Sequence, residues 1–360
     1  MRLLHFADLH LDASFRWAGE GVAGGLRQAL RDALTRILTL AAERRVGAIL
    51  CAGDLYEQET FSPDTAAFLR QAFAGAAPIP ILISPGNHDW LGPLSLYEQV
   101  DWSPNVHIFR SARPEPHPIA PGLTVWGAAH LAPAGQPDPL RDLRVGDRGL
   151  NLGLLHAAER HSGAPDPHAP FDPAEVPASG LRHLLCGHYH RPADGEWHTY
   201  PGNPEPLTFG EDGPRGVMLW TVEGRDRLRS ERVAVSGRGW HDVALDVSAC
   251  GSAQTVRERI GECLRERRGV ARVTLGGELA AEVELVDGAL ARAAPWMDAV
   301  SVRTERLRWA HDLDALLDEP TVRGRFVREV MDAPLSEEDR TRVLRMGLRA
   351  LEERGSLEGV

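Results

Sequence analysis

The sequence of residues 1–220 predicts an α/β layered fold. Short apolar runs alternate along it with segments in which apolar residues recur at helical spacing. These runs are apolar at nearly every position, which is typical of strands that are covered on both faces. Histidine, aspartate or asparagine follows directly after five of the runs. In layered α/β sheets that edge is where ligands bind, so the fold class also predicts where a site would lie.

The predicted elements follow one another from the N-terminus. Residues 2–7 (RLLHFA) predict a strand, and apolar residues at helical spacing predict a helix at 26–44. Ser62 and Pro63 are typical of a helix start, because a hydroxyl can cap the helix and proline fits its first turn. Residues 111–122, rich in Pro and Ala, predict a loop. Apolar runs predict further strands at 46–52, 79–84, 123–127, 150–155 and 181–186, and an antiparallel pair at 216–222 and 228–235.

A second module begins near Gly237. Its predicted elements are a strand at 243–247, a helix at 254–267 and strands at 271–275 and 299–304. The last part, 313–354, has helical periodicity, and Ser336-x-x-Asp339 resembles a capping box. We therefore predict a first domain at 1–238, a small α+β domain at 239–312 and a helical C-terminal segment at 313–360.

Composition sets the class of protein. At 360 residues and 43% hydrophobic content, the chain is long enough for two domains with buried cores. Its first residues do not read as a signal peptide, and no run of about 18 apolar residues predicts a membrane span. Four cysteines without a CxxC motif argue against a disulfide framework or a zinc knuckle. We expect a cytoplasmic protein with no membrane association.

The formal net charge of −11 argues against a nucleic-acid protein, because such domains usually carry a basic surface. All 40 basic residues are arginine, however, and each guanidinium can bind a phosphate through two hydrogen bonds. Whether the protein can bind a nucleic acid therefore depends on the local charge at the site and not on the net charge of the chain.

Residues that can bind metal ions follow the five strands. They are Asp8 and His10, Asp54, Asn87, His156, and His188 with His190. Residues two apart in an extended chain face the same side, so Asp8 with His10, and His188 with His190, can each point at one place. Glycines at 53, 86 and 187 allow sharp turns and close approach there. Oxygen and imidazole ligands together suit Mn, Fe or Zn better than a site built only for Mg or Ca.

Seven ligand groups are too many for one ion that must also hold a substrate. Two ions about 3.5–4 Å apart would use them all, with Asp54 as the natural bridge. Their charge would exceed that of the ligand carboxylates, so an anionic phosphate fits. A hydroxide between the ions would attack phosphorus in line. His88 remains as the general acid for the leaving oxygen, with Asp89 orienting its ring or raising its pKa.

The five motifs, Asp8-x-His10, Gly53-Asp54, Gly86-Asn87-His88-Asp89, His156 and Gly187-His188-x-His190, resemble those of calcineurin-like metallophosphoesterases. The resemblance implies a two-sheet β-sandwich flanked by helices. It also implies two divalent ions, Mn²⁺ in the nuclease members, with Fe²⁺ or Zn²⁺ as alternatives. One ion would be held by Asp8, His10, Asp54 and His190, and the other by Asp54, Asn87, His156 and His188.

Within that superfamily, HFADLHLDASF, GHYHRP and YPGNPEPLTFGE are similar to the SbcD-like DNA repair exonucleases, above all to the YhaO group. The similarity covers about residues 1–235. Glu57 stands where many of these proteins have Asp, and Asn203 where Ser is common. The resemblance implies that 239–312 is a capping domain. Expected partners are DNA, an SbcC-like coiled-coil ATPase and, in a homodimer, a second copy of the chain.

The sequence thus predicts a two-metal phosphodiesterase acting on DNA, as an exonuclease or end-processing nuclease. The alternatives are a metallophosphatase or phosphodiesterase acting on nucleotides or phosphoproteins, and a non-catalytic DNA-end scaffold for an SbcC-type ATPase. Four side chains beside the motifs either contact the substrate or pack at the rim: Arg16, Tyr56, Tyr189 and Arg191. His5 is expected in the core or behind the ligands, and His130 in a structural or solvated position or in the cleft.

Overall fold

The computed structural model describes residues 1–146, 149–160, 168–211, 215–224, 227–280, 283–310 and 313–351. The chain divides into two compact units, Met1–Arg238 and Gly239–Val360. The three predicted domains remain a prediction, and residues 281–282, 311–312 and 352–360 of the last two lie outside the described residues.

The first unit is built mainly from strands. Its helices are α1 (Glu20–Glu43), α2 (Pro63–Gly75), α3 (Leu96–Gln99) and α4 (Glu175–Ser179). Its strands are β1 (Arg2–Phe6), β2 (Ala48–Cys51), β3 (Ile81–Ile83), β4 (Val106–Ile108), β5 (Glu115–Ala120), β6 (Leu123–Gly127), β7 (Leu150–His156), β8 (His183–Gly187), β9 (Ala193–Asp194), β10 (His198–Tyr200), β11 (Val217–Glu223) and β12 (Arg227–Val233).

These strands form two mixed sheets. One has the order β12-β11-β1-β2-β3-β4 and the other β5-β6-β7-β8-β10-β9. Strands β1 to β4 run parallel, as do β6, β7 and β8, while β5, β11 and β12 pair antiparallel to their neighbours. Leu3 and Leu50 from the first sheet and Leu152 and Leu185 from the second belong to one buried cluster. The predicted α/β layered fold, and the two-sheet sandwich that the family resemblance implies, are therefore confirmed.

The start of α2 differs from the prediction in its cap. The helix begins at Pro63 after Ser62, as expected, but the Ser62 side chain caps no backbone group. Asp12 takes that role from a distant loop. Its Oδ2 accepts hydrogen bonds from the Ser62 N–H at 2.8 Å and from the Thr65 hydroxyl at 2.6 Å. The loop that follows β1 is thereby fixed to α2.

The prediction of a loop at 111–122 is wrong, because strand β5 (Glu115–Ala120) lies within this range. Pro116 and Pro118 obscured the strand in the sequence, since proline cannot donate to a sheet. They are tolerated because β5 is an edge strand that pairs with β6 alone.

The second unit begins with three parallel strands, in the order β13 (Trp240–Asp246), β14 (Val270–Ala280) and β15 (Ala299–Ala310). Helices α5 (Ala253–Leu264) and α6 (Asp287–Leu290) connect them. The helices α7 (Leu313–Asp318), α8 (Val322–Asp332) and α9 (Glu337–Leu351) follow and share a small apolar core. None of the described helices is both long and apolar enough to cross a membrane.

His5 on β1 makes stability depend on pH. It is fully buried, its Nε2–H donates to the Cys186 carbonyl across the sandwich at 3.1 Å, and burial lowers its pKa to about 3. Between pH 6.5 and 3 the unfolded chain binds a proton that the folded chain does not. The free energy of unfolding should therefore fall on acidification, by about 1.4 kcal/mol per pH unit for this group.

We expect His5→Gln, which keeps a donor for Cys186, to flatten the pH dependence by about one proton. Urea unfolding of both chains at pH 7, 6 and 5, with a chelator present, measures the difference. Parallel curves for the two chains would show that His5 is protonated equally in the folded and unfolded states.

Candidate metal centre

The seven predicted ligand residues lie together where strands of both sheets end. The loop after β1 runs along the loop after β2, since the Asp8 N–H donates to the Gly53 carbonyl at 3.0 Å and that of His10 to the Asp54 carbonyl at 2.9 Å. The two sheets meet at the same edge, because the His188 N–H donates to Asp8 Oδ1 at 2.9 Å. The fold therefore brings together side chains as far apart in the sequence as those of Asp8 and His190.

Four of these residues have left-handed backbone conformations. The φ angles are 56° for Asp8, 50° for His10, 52° for Asp54 and 107° for His188. Such angles are uncommon for residues other than glycine, cost on the order of 1–3 kcal/mol each and concentrate at functional sites. The strain aims side chains inward from strand ends, and no sequence pattern reveals it.

Glycine is required where the ligand loops touch. Gly53 has a φ of 86°, which favours a residue without a side chain. At Gly187 a Cβ atom would overlap the Ala52 carbonyl oxygen, and at Gly86 it would overlap the Asp54 carboxylate. These glycines permit the close approach predicted from the motifs.

One group of ligand atoms comes from Asp8, His10 and His190, and we call it the Asp8 position. The Nε2 atoms of His10 and His190 face each other at 3.1 Å. Asp8 Oδ2 is buried and accepts no hydrogen bond from the residues that the structure describes. Two converging imidazole nitrogens beside an unsatisfied carboxylate oxygen fit a divalent transition-metal ion.

A second group comes from Asn87, His156 and His188, and we call it the Asn87 position. Asn87 Oδ1 lies 2.8 Å from His156 Nε2 and 3.2 Å from His188 Nδ1. Asp54 Oδ2 lies between the two positions, 3.3 Å from His156 Nε2 and 3.5 Å from His10 Nε2. This placement agrees with a bridging role for Asp54.

Burial and charge oppose each other in this centre. Burial raises the pKa of Asp8, and the neighbouring His156 and His190 offset this rise only in part. Burial also raises the pKa of Asp54, but His156 and His10 outweigh it, and the pKa falls well below the usual range. A bound cation would relieve the cost of holding two carboxylates in a buried place.

His88 lies beside the ligands, with its side chain 45% exposed. Its ring Nδ1–H donates to Glu57 Oε2 at 2.9 Å, and this hydrogen bond is the main reason that the pKa of His88 is raised to about 9. The other oxygen, Glu57 Oε1, accepts from His10 Nδ1 at 2.7 Å. Glu57 thus joins a candidate ligand to the candidate acid.

The predicted contact between Asp89 and the ring of His88 is wrong. Asp89 is fully buried, and its carboxylate is already committed elsewhere. It accepts from the backbone N–H groups of Asp54 at 3.1 Å, Leu55 at 2.7 Å and Gly86 at 2.6 Å, and from the Tyr97 hydroxyl at 2.5 Å. Asp89 therefore shapes the backbone of two ligand loops, and Glu57 orients the ring.

Sequence reasoning did not place Glu57 or Glu211 in the centre. Glu211 Oε1 accepts from His190 Nδ1 at 2.8 Å, in the same manner as Glu57 with His10. The available signals were the position of Glu57 three residues after Asp54 and the FGE triplet that ends at Glu211.

The four predicted substrate contacts divide by exposure. The predicted substrate contact of Tyr56 is wrong, because this side chain is fully buried. Its hydroxyl donates to Gln58 Oε1 and accepts from the Leu96 N–H. Tyr189 is half-buried, with its ring 5.1 Å from that of His188. Arg16 and Arg191 are exposed on loops that carry ligands, so their role remains a prediction.

Two other histidines lie behind the ligands. His130 is buried, and its Nε2–H donates to the His156 carbonyl at 2.7 Å, which supports a structural role. The ring of His168 lies 5.2 Å from that of His188.

Buried carboxylates and imidazoles that converge at one edge of an α/β sandwich define a centre for divalent cations. The family model of calcineurin-like phosphoesterases matches residues 1–192, and the chain belongs to this family. The resemblance drawn from the five motifs is therefore confirmed.

Individual relatives are more distant. The chain is 28% identical over 262 residues to the uncharacterized metallophosphoesterase YhaO of Bacillus subtilis, covering 69% of this chain and 64% of that protein. It is 28% identical over 278 residues to the DNA double-strand break repair protein Mre11 of Haloferax volcanii, covering 72% of this chain and 58% of that protein. The chain thus spans less than two thirds of these two relatives. A dimetal phosphatase from Danio rerio is 13% identical, with a TM-score of 0.42, over 64% of this chain and 98% of that one.

Proposed function

We propose that this chain is a two-metal phosphodiesterase that hydrolyses DNA, as an exonuclease or end-processing nuclease in DNA repair, with an SbcC-like ATPase as partner. The observation that carries the two-metal proposal is the pair of ligand groups on either side of Asp54. Support for DNA as the substrate comes from the similarity to the Mre11 repair proteins.

Each side chain of the centre has a definite task in this proposal. Asp8, His10, Asp54 and His190 would hold one Mn²⁺ ion, and Asp54, Asn87, His156 and His188 the other. Bound there, the ions would supply an activated water and offset the charge that develops on the phosphate.

His88 protonates the leaving oxygen. Because its Nδ1–H is held by Glu57, Nε2–H is the donor that can reach this oxygen. The Glu57 carboxylate favours the protonated ring before the proton is transferred, since it raises the pKa of His88 to about 9. Glu57 therefore orients and charges the acid, and His88 contacts the substrate.

The full chain should release nucleotides from the ends of duplex DNA when Mn²⁺ is present, and a chelator should stop the release. Phosphoprotein and cyclic nucleotides serve as competing substrates in the same buffer. Faster release of phosphate from phosphoprotein would favour a phosphatase, and faster conversion of the cyclic nucleotide to the nucleoside monophosphate would favour a nucleotide phosphodiesterase. DNA binding without any metal-stimulated cleavage would instead identify a DNA-end scaffold.

A further inference from the structure

The two ligand groups differ in what lies behind their imidazole rings. At the Asp8 position both rings are backed by carboxylates. His10 Nδ1–H donates to Glu57 at 2.7 Å, and His190 Nδ1–H donates to Glu211 at 2.8 Å. Both rings are thereby fixed with their Nε2 lone pairs turned to the same place.

Glu211 is itself held firmly. Its Oε2 accepts from the Asn203 side-chain amide and from the Leu207 N–H, each at 2.7 Å. Asn203 is fully buried, and its Oδ1 accepts from Arg215, which also donates to the His190 carbonyl at 3.1 Å. The amide of Asn203 uses both of its ends in this network, whereas serine offers a single hydroxyl.

At the Asn87 position the groups behind the imidazole rings are different, although Asp54 Oδ2 lies 3.3 Å from the metal-facing His156 Nε2. The outer nitrogen of His156, Nδ1, donates to the backbone carbonyl of Ala52 at 2.9 Å. The His188 ring has Asn87 Oδ1 as its hydrogen-bond partner. Among the residues that the structure describes, no carboxylate lies within ion-pair distance of the outer nitrogen of either ring.

A carboxylate behind a histidine makes the ring a stronger ligand, because it fixes the tautomer and increases the electron density on the metal-facing nitrogen. It also adds a negative charge close to the cation, which a backbone carbonyl does not. Glu57 and Glu211 make both contributions at the Asp8 position.

We propose that the Asp8 position binds its ion tightly and keeps it, and that the Asn87 position binds its ion more weakly and exchanges it. Glu211, supported by Asn203 and Arg215, is the positioning residue that sets this order, together with Glu57. The inference rests on the two-metal proposal for the same centre.

His190 and His188 offer a matched pair of variants, because they lie two residues apart in one motif and serve different positions. The full chain, stripped of metal, is titrated with Mn²⁺ while free Mn²⁺ is followed by electron paramagnetic resonance. The unaltered chain should bind two ions in two steps of different affinity. His188→Asn should keep the tight ion, and His190→Asn should lose it. Loss of the tight ion from His188→Asn, or two equal steps in the unaltered chain, would overturn the order.

Glu211→Gln tests the cause without removing a ligand. We expect the tight dissociation constant to rise about 10–100-fold, with the weak one unchanged. Glu98→Gln, on an exposed side chain paired with Arg110, serves as the control and should change neither constant. Circular dichroism of the metal-free chains confirms that each variant is folded. An unchanged tight constant in folded Glu211→Gln would contradict the role of Glu211.

These titrations use Mn²⁺ alone, so they are independent of the substrate. A chain that binds two ions in the stated order and cleaves no DNA would reject the nuclease proposal and keep this inference. A chain that cleaves DNA with two ions of equal affinity would reject this inference alone.

Discussion

His88→Ala should lower the rate of DNA cleavage by about 10²–10⁴-fold, the range usually lost with a general acid. The structure gives two reasons. The ring is half-exposed beside the ligand groups, and its contact with Glu57 keeps it protonated at neutral pH. Both ligand groups remain complete in the variant, so Mn²⁺ affinity should stay the same.

The leaving group distinguishes proton donation from other roles of His88. A p-nitrophenyl ester of thymidine 5′-phosphate releases a phenolate that needs little protonation. We expect His88→Ala to affect this ester far less than DNA, because the acid matters only for a poor leaving group. Equal losses on both substrates would mean that His88 positions the phosphate and does not donate a proton.

Asp89→Ala should cause the largest loss of stability in the centre. The change leaves three buried backbone N–H groups, those of Asp54, Leu55 and Gly86, without an acceptor. An unsatisfied buried donor costs roughly 1–3 kcal/mol, so the total loss should be at least about 3 kcal/mol. Urea unfolding of the metal-free protein measures it without any contribution from bound ions.

Two variants show which contacts of Asp89 matter. Tyr97→Phe removes one hydroxyl and should cost about 1–2 kcal/mol. Asp89→Asn keeps one acceptor for Asp54 and Gly86 but turns an amide toward the Leu55 N–H, so its cost should lie between the other two. Stability equal to that of the unaltered chain in Asp89→Ala would show that water or a shifted loop replaces the carboxylate.

The positions of the ligands could be predicted from the sequence, because apolar runs mark the strands and parallel strands end at a common edge. The partners of Glu57, Asp89 and Glu211 could not. The contacts of Glu57 and Glu211 join side chains 21 to 47 residues apart, and those of Asp89 with Asp54 and Leu55 join loops 34 or 35 residues apart, so no local pattern in the sequence indicates them. At β5 the prolines predicted a loop, but the segment is an edge strand, where proline is tolerated.

Each cation position takes ligands from both sheets. The Asp8 position joins the end of β1 to the end of β8, and the Asn87 position joins the ends of β3, β7 and β8. Neither half of the sandwich therefore contains a whole coordination shell. An ion that binds only the assembled domain shifts the folding equilibrium toward it, as any ligand of the native state does. Removal of the metal ions should therefore lower the free energy of unfolding of this domain as well as abolish hydrolysis, and adding the ions back should restore both.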